Sequence, residues 1–473
     1  GLPIIPGFFF AMAGPTLPTE ILAGVFGHMS PSYLAIVSRV CCTWKTVAFP
    51  PLYQTVYLCL ATHLEQFVQR ILTEEVGSPF SVSTHLKGLV LDIEYLKNRQ
   101  REMIGKSDLD KLNATIPRLT QLSSLSWNLM FVPEDPKTFK LFQTQCPKLD
   151  SVHIWIMGDI DFYSDQYDTL FEFKDLFHFS LSIQDMPPLF DEDLLDPLTS
   201  LLARCPQLSS LMLDIHNSEF KYSPATLVAS LGDEYVFPRL RRFYARGCED
   251  PDWMEFFENP ESHPFRQFFN RHPGIEDLAL GYYGETAHWK YIDPTEITQL
   301  FPSLKHFEGP AFIFKPLVLS TLAEQIEELV IVDNSLRDEV SLTEMYDRVP
   351  TLSKLRKFGI WAKEIEEGIL VNMLRTIVNA ASRLEEIEIY PEIDSTNYRE
   401  VMKLITQARG LRSVTLDDSI LSAATENDGE ELEWDAFALN LKRACPGLRR
   451  IYQPIDKFDK GNREKVWALH DNA

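Results

Sequence analysis

Residues 205–213, Cys-Pro-Gln-Leu-Ser-Ser-Leu-Met-Leu, hold the phrase on which the reading of this chain turns. A Cys-Pro pair is followed by Leu208, two residues, Leu211, one residue and Leu213. The last two apolar positions alternate with polar ones, the pattern of a short strand with one face in a core. Leu208 supports the turn that precedes it. Cys146-Pro147 opens a second copy, with Leu149, Val152 and Ile154, and Cys445-Pro446 opens a late one. Phe237-Pro238, His272-Pro273 and Phe301-Pro302 open three more. Taking the first apolar residue of each unit as a marker places them at Leu86, Leu122, Leu149, Leu176, Leu208, Leu240, Ile275, Leu304, Ile326, Leu355, Leu384, Leu411 and Leu448. These thirteen markers are separated by 22 to 37 residues, with a mean near 30.

Helical patterns lie between the strands, as in Leu194, Leu198, Leu201 and Leu202, or Val371, Leu374, Ile377 and Val378. Each helix covers the core side of its strand. The pattern is therefore that of an irregular, somewhat long leucine-rich repeat, a class with periods of roughly 20–29 residues. Thirteen strands stacked in parallel give an inner arc on the order of 60 Å, a concave surface rather than a pocketed globule. Proline suits the corner where a helix stops, and a small thiol fills the space at its end. Cys146, Cys205 and Cys445 are expected to serve packing, because the repeat sets them far apart and no nearby ligand completes a metal site.

The 473 residues include 68 acidic and 45 basic side chains, a formal net charge of -23. Residues 1–60 carry only Glu20 against Arg39 and Lys45, so the charge falls almost wholly on the rest. A surface this acidic repels phosphate backbones and argues against nucleic-acid binding. Seven cysteines in no paired framework fit a reducing compartment, cytoplasmic or nuclear. No run reaches the roughly 20 apolar residues that cross a bilayer, so no membrane partner is expected. Leu2 to Ala13 contains Pro3, Pro6 and Gly7 and lacks a basic start, so it reads as a tail. The chain opens at Gly1 rather than Met, as expected of a piece of a longer product.

Residues 16–58 depart from the repeat. Thr16 can cap a first helix with Ile21, Leu22, Val25 and Phe26 on its apolar side. Ser30-Pro31 starts a second helical run in which Leu34, Val37, Cys41, Trp44 and Ala48 form a stripe, and Pro50-Pro51 closes it. Leu17-Pro18-Thr19-Glu20-Ile21-Leu22, the pair Val25-Phe26, Val40-Cys41 with Trp44, and Leu52-Tyr53 with Val56 together resemble an F-box. One departure is Cys42, where that family often has Arg or Lys. With the repeats behind it, the chain resembles F-box proteins with leucine-rich repeats, the fungal members in particular.

The resemblance implies an α/β chain: a small three-helix F-box domain followed by an irregular leucine-rich-repeat solenoid, a horseshoe with a parallel inner sheet and outer helices. Its expected organisation is a hydrophobic tail at 1–14, the F-box domain at 15–58, a helical junction at 59–79 containing Leu60, Leu64, Phe67, Val68, Ile71 and Leu72, and the substrate-binding solenoid at 80–473. F-box domains bind a Skp-family adaptor and, through it, a cullin-RING scaffold. On that resemblance Leu17, Pro18, Ile21, Leu22, Val25, Phe26 and Trp44 are candidate adaptor contacts, with Leu22, Val25 and Phe26 divided between the adaptor and the internal core and Trp44 in a mixed role, and Leu34, Val37, Val40 and Cys41 are the F-box core. The implied function is substrate recognition in an SCF-type cullin-RING ubiquitin ligase, non-catalytic and without cofactors. A non-degradative binding scaffold and a small-molecule-dependent receptor stand as alternatives on the same fold.

No phosphate loop, dinucleotide fingerprint, nucleophile elbow or zinc-protease motif occurs. The acidic stretch from Asp159 to Asp196 lacks the spacing and glycine of a calcium loop and reads as a solvated insertion or a lure for a basic partner, as does Glu426 to Asp435. Trp253, Tyr282, Tyr283, Trp289 and Tyr291 lie in or beside long insertions, where they either pack the loop or anchor an unknown protein substrate.

Overall fold

The computed structural model describes residues 17–75, 77–92, 103–133, 135–157, 169–184, 195–216, 223–247, 251–282, 292–336, 345, 348–366, 368–429, 433–454 and 463–468. Contacts divide the chain into two compact units, residues 1–153 and 154–473.

The first unit opens with three helices, α1 (Thr19–Phe26), α2 (Pro31–Val37) and α3 (Cys42–Leu52). Pro18 is the residue before α1 and provides no side-chain cap, and the expected cap Thr16 lies outside the described residues. The expected single stripe from Leu34 to Ala48 is broken. Ser38, Arg39 and Val40 donate their amides back to Leu34, Ile36 and Val37, and Cys41 is extended at φ -159°. Its Sγ then accepts from the Trp44 amide at 3.5 Å and caps α3. Pro50 and Pro51 sit inside the end of α3 rather than beyond it.

The chain next forms β1 (Thr55–Leu58), which pairs in parallel with β2 (Gly88–Asp92), itself paired with β3 (Ser124–Met130). The Leu-Tyr-x-x-Val ending thus runs from the last residue of α3, Leu52, into the first strand of a sheet, which holds Thr55 and Val56. Phe49 of α3 also packs edge-on against Phe80 at 5.4 Å and His85 at 5.7 Å, so bundle and sheet are joined by covalent strand and by rings.

The junction contains α4 (Ala61–Thr73), which buries Leu64, Phe67, Val68 and Ile71. Arg118 donates to the carbonyls of Ile71 and Leu72 at 2.8 and 3.1 Å, satisfying acceptors at the helix end. Just beyond, Glu74 accepts from Ser81 Oγ (2.8 Å), the Val82 amide (2.7 Å) and the Ser83 amide (2.8 Å). Burial pushes this carboxyl up, but the hydrogen bonds from Ser83, Ser81 and Val82 outweigh it and hold the group below its ordinary range. Replacing Glu74 with Ala is expected to cost about 2 kcal/mol, since charge-assisted bonds are lost and buried amides are left bare. Chemical denaturation at neutral pH reads the loss. Acidification through the depressed carboxyl pKa removes the contribution from the parent chain, so the gap between the two proteins closes at low pH.

From β4 (Ser151–Met157) onward the strands are β5 (His178–Gln184), β6 (Ser210–His216), β7 (Arg242–Gly247), β8 (Asp277–Tyr282), β9 (His306–Gly309), β10 (Glu328–Leu336), β11 (Lys357–Ile365), β12 (Glu386–Ile389), β13 (Ser413–Leu416), β14 (Arg450–Pro454) and β15 (Arg463–Ala468). In the second unit they follow one another in chain order, parallel from β5 to β9 and on through β14. Only β15 reverses among these described pairs, running antiparallel to β14.

Each of the thirteen markers lies two residues ahead of a strand, from Leu86 before β2 to Leu448 before β14. All are buried except Leu149, which is half-buried. The turn that seats them recurs: the marker amide donates to the carbonyl three residues earlier, Leu208 to Cys205 at 3.2 Å, Leu304 to Phe301 at 3.1 Å, Leu448 to Cys445 at 3.0 Å. The residue after the marker then offers one carbonyl to two amides of the next unit. Ser209 accepts from Arg241 and Arg242, Arg241 from Glu276 and Asp277, Glu276 from Lys305 and His306, and the series runs on to Arg412. The side chains at this position alternate in sign through Arg241, Glu276, Lys305, Glu327, Arg356, Glu385 and Arg412, with ion pairs such as Lys305–Glu276 and Arg356–Glu327 at 2.6 Å.

The Cys-Pro thiols fill this corner as expected. Cys146 and Cys445 follow the helices Lys137–Gln145 and Trp434–Ala444 and point at the carbonyls of Ile116 (4.0 Å) and Ile405 (3.7 Å). Burial pushes Cys146 up to about 12 and raises Cys205 and Cys445, so these thiols are inert packing groups. All six described cysteines are free. Helices cover the Leu and Phe side of the strands: Phe243 of β7 meets Phe265, Phe268 and Phe269 of the helix Pro264–Arg271, and Phe358 of β11 meets Phe314 of Ala311–Leu319.

Candidate functional site

The three-helix bundle completes its own interior with few side chains. Leu22, Phe26, Leu34 and Ala48 form its centre, and Met29, Val37, Trp44, Val47 and Leu52 pack around them. Trp44 meets Phe26 edge-on at 5.5 Å and remains half-buried, so it supports the core and keeps part of its ring at the surface. Leu22 and Phe26 are 4% and 2% exposed, so of the two places expected for them, partner contact and internal core, they occupy the core.

What α1 leaves outside is an apolar stripe. Leu17, Ile21 and Val25 recur every four residues and are 57%, 51% and 49% exposed, with Pro18 also exposed. Helical spacing puts them on one side. A second run, Tyr33, Ile36 and Val40, is similarly open on and just after α2. Val40 and Cys41 were expected in the core. Both are exposed, because the turn between α2 and α3 rotates them outward. Tyr33, Ile36 and Val40 follow one another at spacings of three and four residues, a second apolar series that the family motif does not single out. Exposed large apolar side chains concentrated on one small bundle mark a contact surface rather than a solvated one. No charged side chain other than Glu20 occurs in α1.

The second unit presents a different surface on the strand face away from its helices. Arg246 bridges strands there, 3.1 Å from Asp214 of β6 and 2.6 Å from Glu308 of β9. It lies across Gly281 of β8, where an added Cβ would sit 2.8 Å from Arg246 Cγ. Asp277 of β8 accepts from Arg242 at 2.6 Å and Tyr244 at 2.8 Å, with His306 at 3.8 Å. Burial raises this carboxyl, but its partners outweigh burial and hold it below the ordinary range, while His306 is raised by facing Asp277. Lys357 lies 3.0 Å from Glu388 and 3.5 Å from Glu386.

Trp253 was expected to face a partner if the aromatic insertion recognises one. It is 2% exposed, enclosed by Phe256, Phe265 and Phe312 at 5.1, 6.0 and 5.5 Å. Its helix, Trp253–Glu258, turns the insertion into core, so Trp253 takes the packing role, one of the two expected of it. Tyr282 ends β8, and Tyr283, Trp289 and Tyr291 lie outside the described residues, as do most of the stretch from Asp159 to Asp196 and residues 430–432 of the second acidic run.

No group of three or more His, Cys, Asp or Glu that could hold a metal ion occurs among the described residues. Nor is any described helix long and apolar enough to cross a membrane.

An F-box-like family model matches residues 15–59. These residues are the helical bundle together with β1. The F-box-like segment is thus followed by a long parallel sheet flanked by helices, a solenoid-like arrangement. No curated protein matches the chain. Among solved structures, a chain of the "Crystal structure of Rad7 and Elc1 complex in yeast" aligns over 96% of this chain and 91% of its own at 13% identity, with a TM-score of 0.43.

Proposed function

We propose that this chain is the substrate-recognition subunit of an SCF-type cullin-RING ubiquitin ligase, acting in the cytoplasm or nucleus. The F-box-like bundle binds a Skp-family adaptor, and the repeats bind a protein destined for modification. The carrying observation is the stripe Leu17, Ile21 and Val25, exposed on an F-box-like bundle whose own core is complete without it. Pro18 at the start of α1 and the half-buried Trp44 belong to the same contact. The near-neutral charge of residues 1–60 suits an acidic adaptor.

The chain supplies no reacting group in this role. It holds a substrate near the charged conjugating enzyme and raises the local concentration of its lysines. The first test is capture of a Skp-family adaptor by the full chain carrying Leu17→Ala and Pro18→Ala together. Each lost apolar contact is worth roughly 1.5–3 kcal/mol when fully buried, so capture should fall by about tenfold or more. Unchanged capture by the folded variant sinks the assignment. Deleting residues 15–58 is the poorer experiment, since it also removes β1 and bares the edge of β2.

A further inference from the structure

We propose that the ridge of turns entering strands β11 to β14 docks a short acidic segment of a partner protein, held through its Asp and Glu carboxylates. The inference rests on the reading above only in that the second unit grips a protein. It does not depend on adaptor binding.

The ridge is built by the turns that seat the last four markers, residues 351–357, 380–386, 407–413 and 444–450. These turns stack directly on one another. Glu385 and Glu386 donate their amides to the Arg356 carbonyl, Arg412 and Ser413 to that of Glu385, and Arg449 and Arg450 to that of Arg412. Eight Lys and Arg residues stand in the four turns against two carboxylates, in a chain whose net charge is -23. Both carboxylates are already engaged, Glu385 with Arg412 at 3.4 Å and Glu386 with Lys357 at 3.5 Å. Arg356 reaches back to Glu327 at 2.6 Å. Lys354, Arg383, Arg409, Arg449 and Arg450 are left over. All five are exposed, and none of their side chains meets a carboxylate among the described residues.

The alternation of sign also ends here. From Arg241 to Arg412 each charge one residue past a marker is followed in the next unit by its opposite, whereas Arg412 is followed by Arg449. Like charges on neighbouring strands are unfavourable, so this last pair works against the stack rather than for it. The backbone beside these cations is bare. Gly410 and Gly447 stand one residue before their markers and are exposed. An added Cβ would lie 2.9 Å from the Leu384 carbonyl oxygen at the first and 3.0 Å from that of Leu411 at the second. Both neighbours are backbone and cannot swing aside, so no side chain covers the floor next to Arg409, Arg412 and Arg449.

Four of the five unengaged cations are Arg, whose planar fork takes a carboxylate through two parallel N–H bonds. Three steps between strands at roughly 4.8 Å make a ridge about 14 Å long, which about four or five extended residues span. The acidity of the rest of the chain acts weakly on so short a segment, because exposed charges are screened beyond about 10 Å at 0.1 M salt. A long polyanion such as RNA reaches past the ridge to that acidic remainder and is disfavoured.

Fluorescence anisotropy of a short fluorescein-labelled alternating Glu-Thr peptide with the full chain tests this, with an alternating Lys-Thr peptide as the reference. The parent chain should bind the first and not the second. Arg383→Gln with Arg449→Gln should weaken binding about tenfold or more, while Lys137→Gln with Lys140→Gln, an equal charge change on an exposed helix of the first unit, should shift it less than about twofold. Equal weakening by both pairs, or no binding of the Glu-Thr peptide, overturns the proposal. A phosphoserine-Thr peptide that binds where the Glu-Thr peptide does not overturns the carboxylate assignment, and tighter binding of a single-stranded oligonucleotide overturns the choice of a protein partner. If Arg383→Gln with Arg449→Gln unfolds the chain, Arg409→Gln with Arg450→Gln takes its place with the same expected direction. Adaptor capture should be unchanged in every variant. Its absence from the parent chain would count against the ligase reading and leave this one standing.

Discussion

Ile21→Asp combined with Val25→Asp is expected to reduce capture of a Skp-family adaptor by about 100-fold or more while leaving the melting temperature of the chain nearly unchanged. Both side chains are about half exposed in the free chain, so the folded state loses little when they become polar. On the proposed reading the same positions become buried against the adaptor. Two apolar anchors worth roughly 1.5–3 kcal/mol each are replaced by carboxylates that must shed water without a partner, and the loss exceeds about 3 kcal/mol. Leu22→Ala provides the contrast. That side chain is internal, so its removal should cost about 2–5 kcal/mol of stability, and any loss of capture would follow from a loosened bundle. Circular dichroism melts and adaptor pull-down on the same preparations separate the two cases. Full capture by the double aspartate variant would place the adaptor surface elsewhere.

Acidification from pH 7 to 4 is expected to remove about 3 kcal/mol of stability through a single imidazole, His272. Its Nε2 accepts the Phe237 amide at 2.8 Å, and its Nδ1 donates to the Phe268 carbonyl at 2.6 Å. Only the neutral ring can do both. Burial, aided by the nearby Arg271 charge, pushes the group down to about 4, against the opposing pull of the Phe268 bond. The unfolded chain binds a proton near pH 6.5 and the folded chain does not until near 4, so stability falls across that window. Carboxylates elsewhere also titrate on the way down, and His272→Leu isolates the imidazole. At pH 7 the variant should be the less stable protein by urea denaturation, and the gap should shrink steadily toward pH 4. A gap that is constant with pH would refute the assignment.

His272 also shows how a repeat phrase can be legible while its chemistry is not. It occupies the place of Cys205 and Cys445 in the phrase, and nothing in that phrase signals that the ring reaches back to Phe237 in the preceding unit. The markers were readable because a buried Leu at a fixed offset from a strand is a local demand, and all thirteen fall there. The outward turn of Val40 and Cys41 was not, since their spacing suits a helix that Cys41 in fact ends by turning extended and capping α3. The choice left open at Trp253 falls to packing, because an insertion rich in aromatic residues can build a small core of its own, as this one does around Phe256 and Phe265. The reversal at β15 carries no mark of the repeat phrase at all. The alternating signs from Arg241 to Arg412 were present in the letters, one residue past each marker, and needed only the register of the strands to be seen as neighbours.

From Phe177 to Arg412 the carbonyl that follows a marker hands two bonds to the next unit and asks nothing of the residues in between. Loop and helix lengths are then free to drift, and the interval between markers does so, from 22 residues to 37, without shifting any strand sideways. A lineage could insert or excise a whole segment from one marker to the next and still knit the remaining strands in phase. Such a chain gains and loses length by modules, and its binding face can be rewritten one unit at a time.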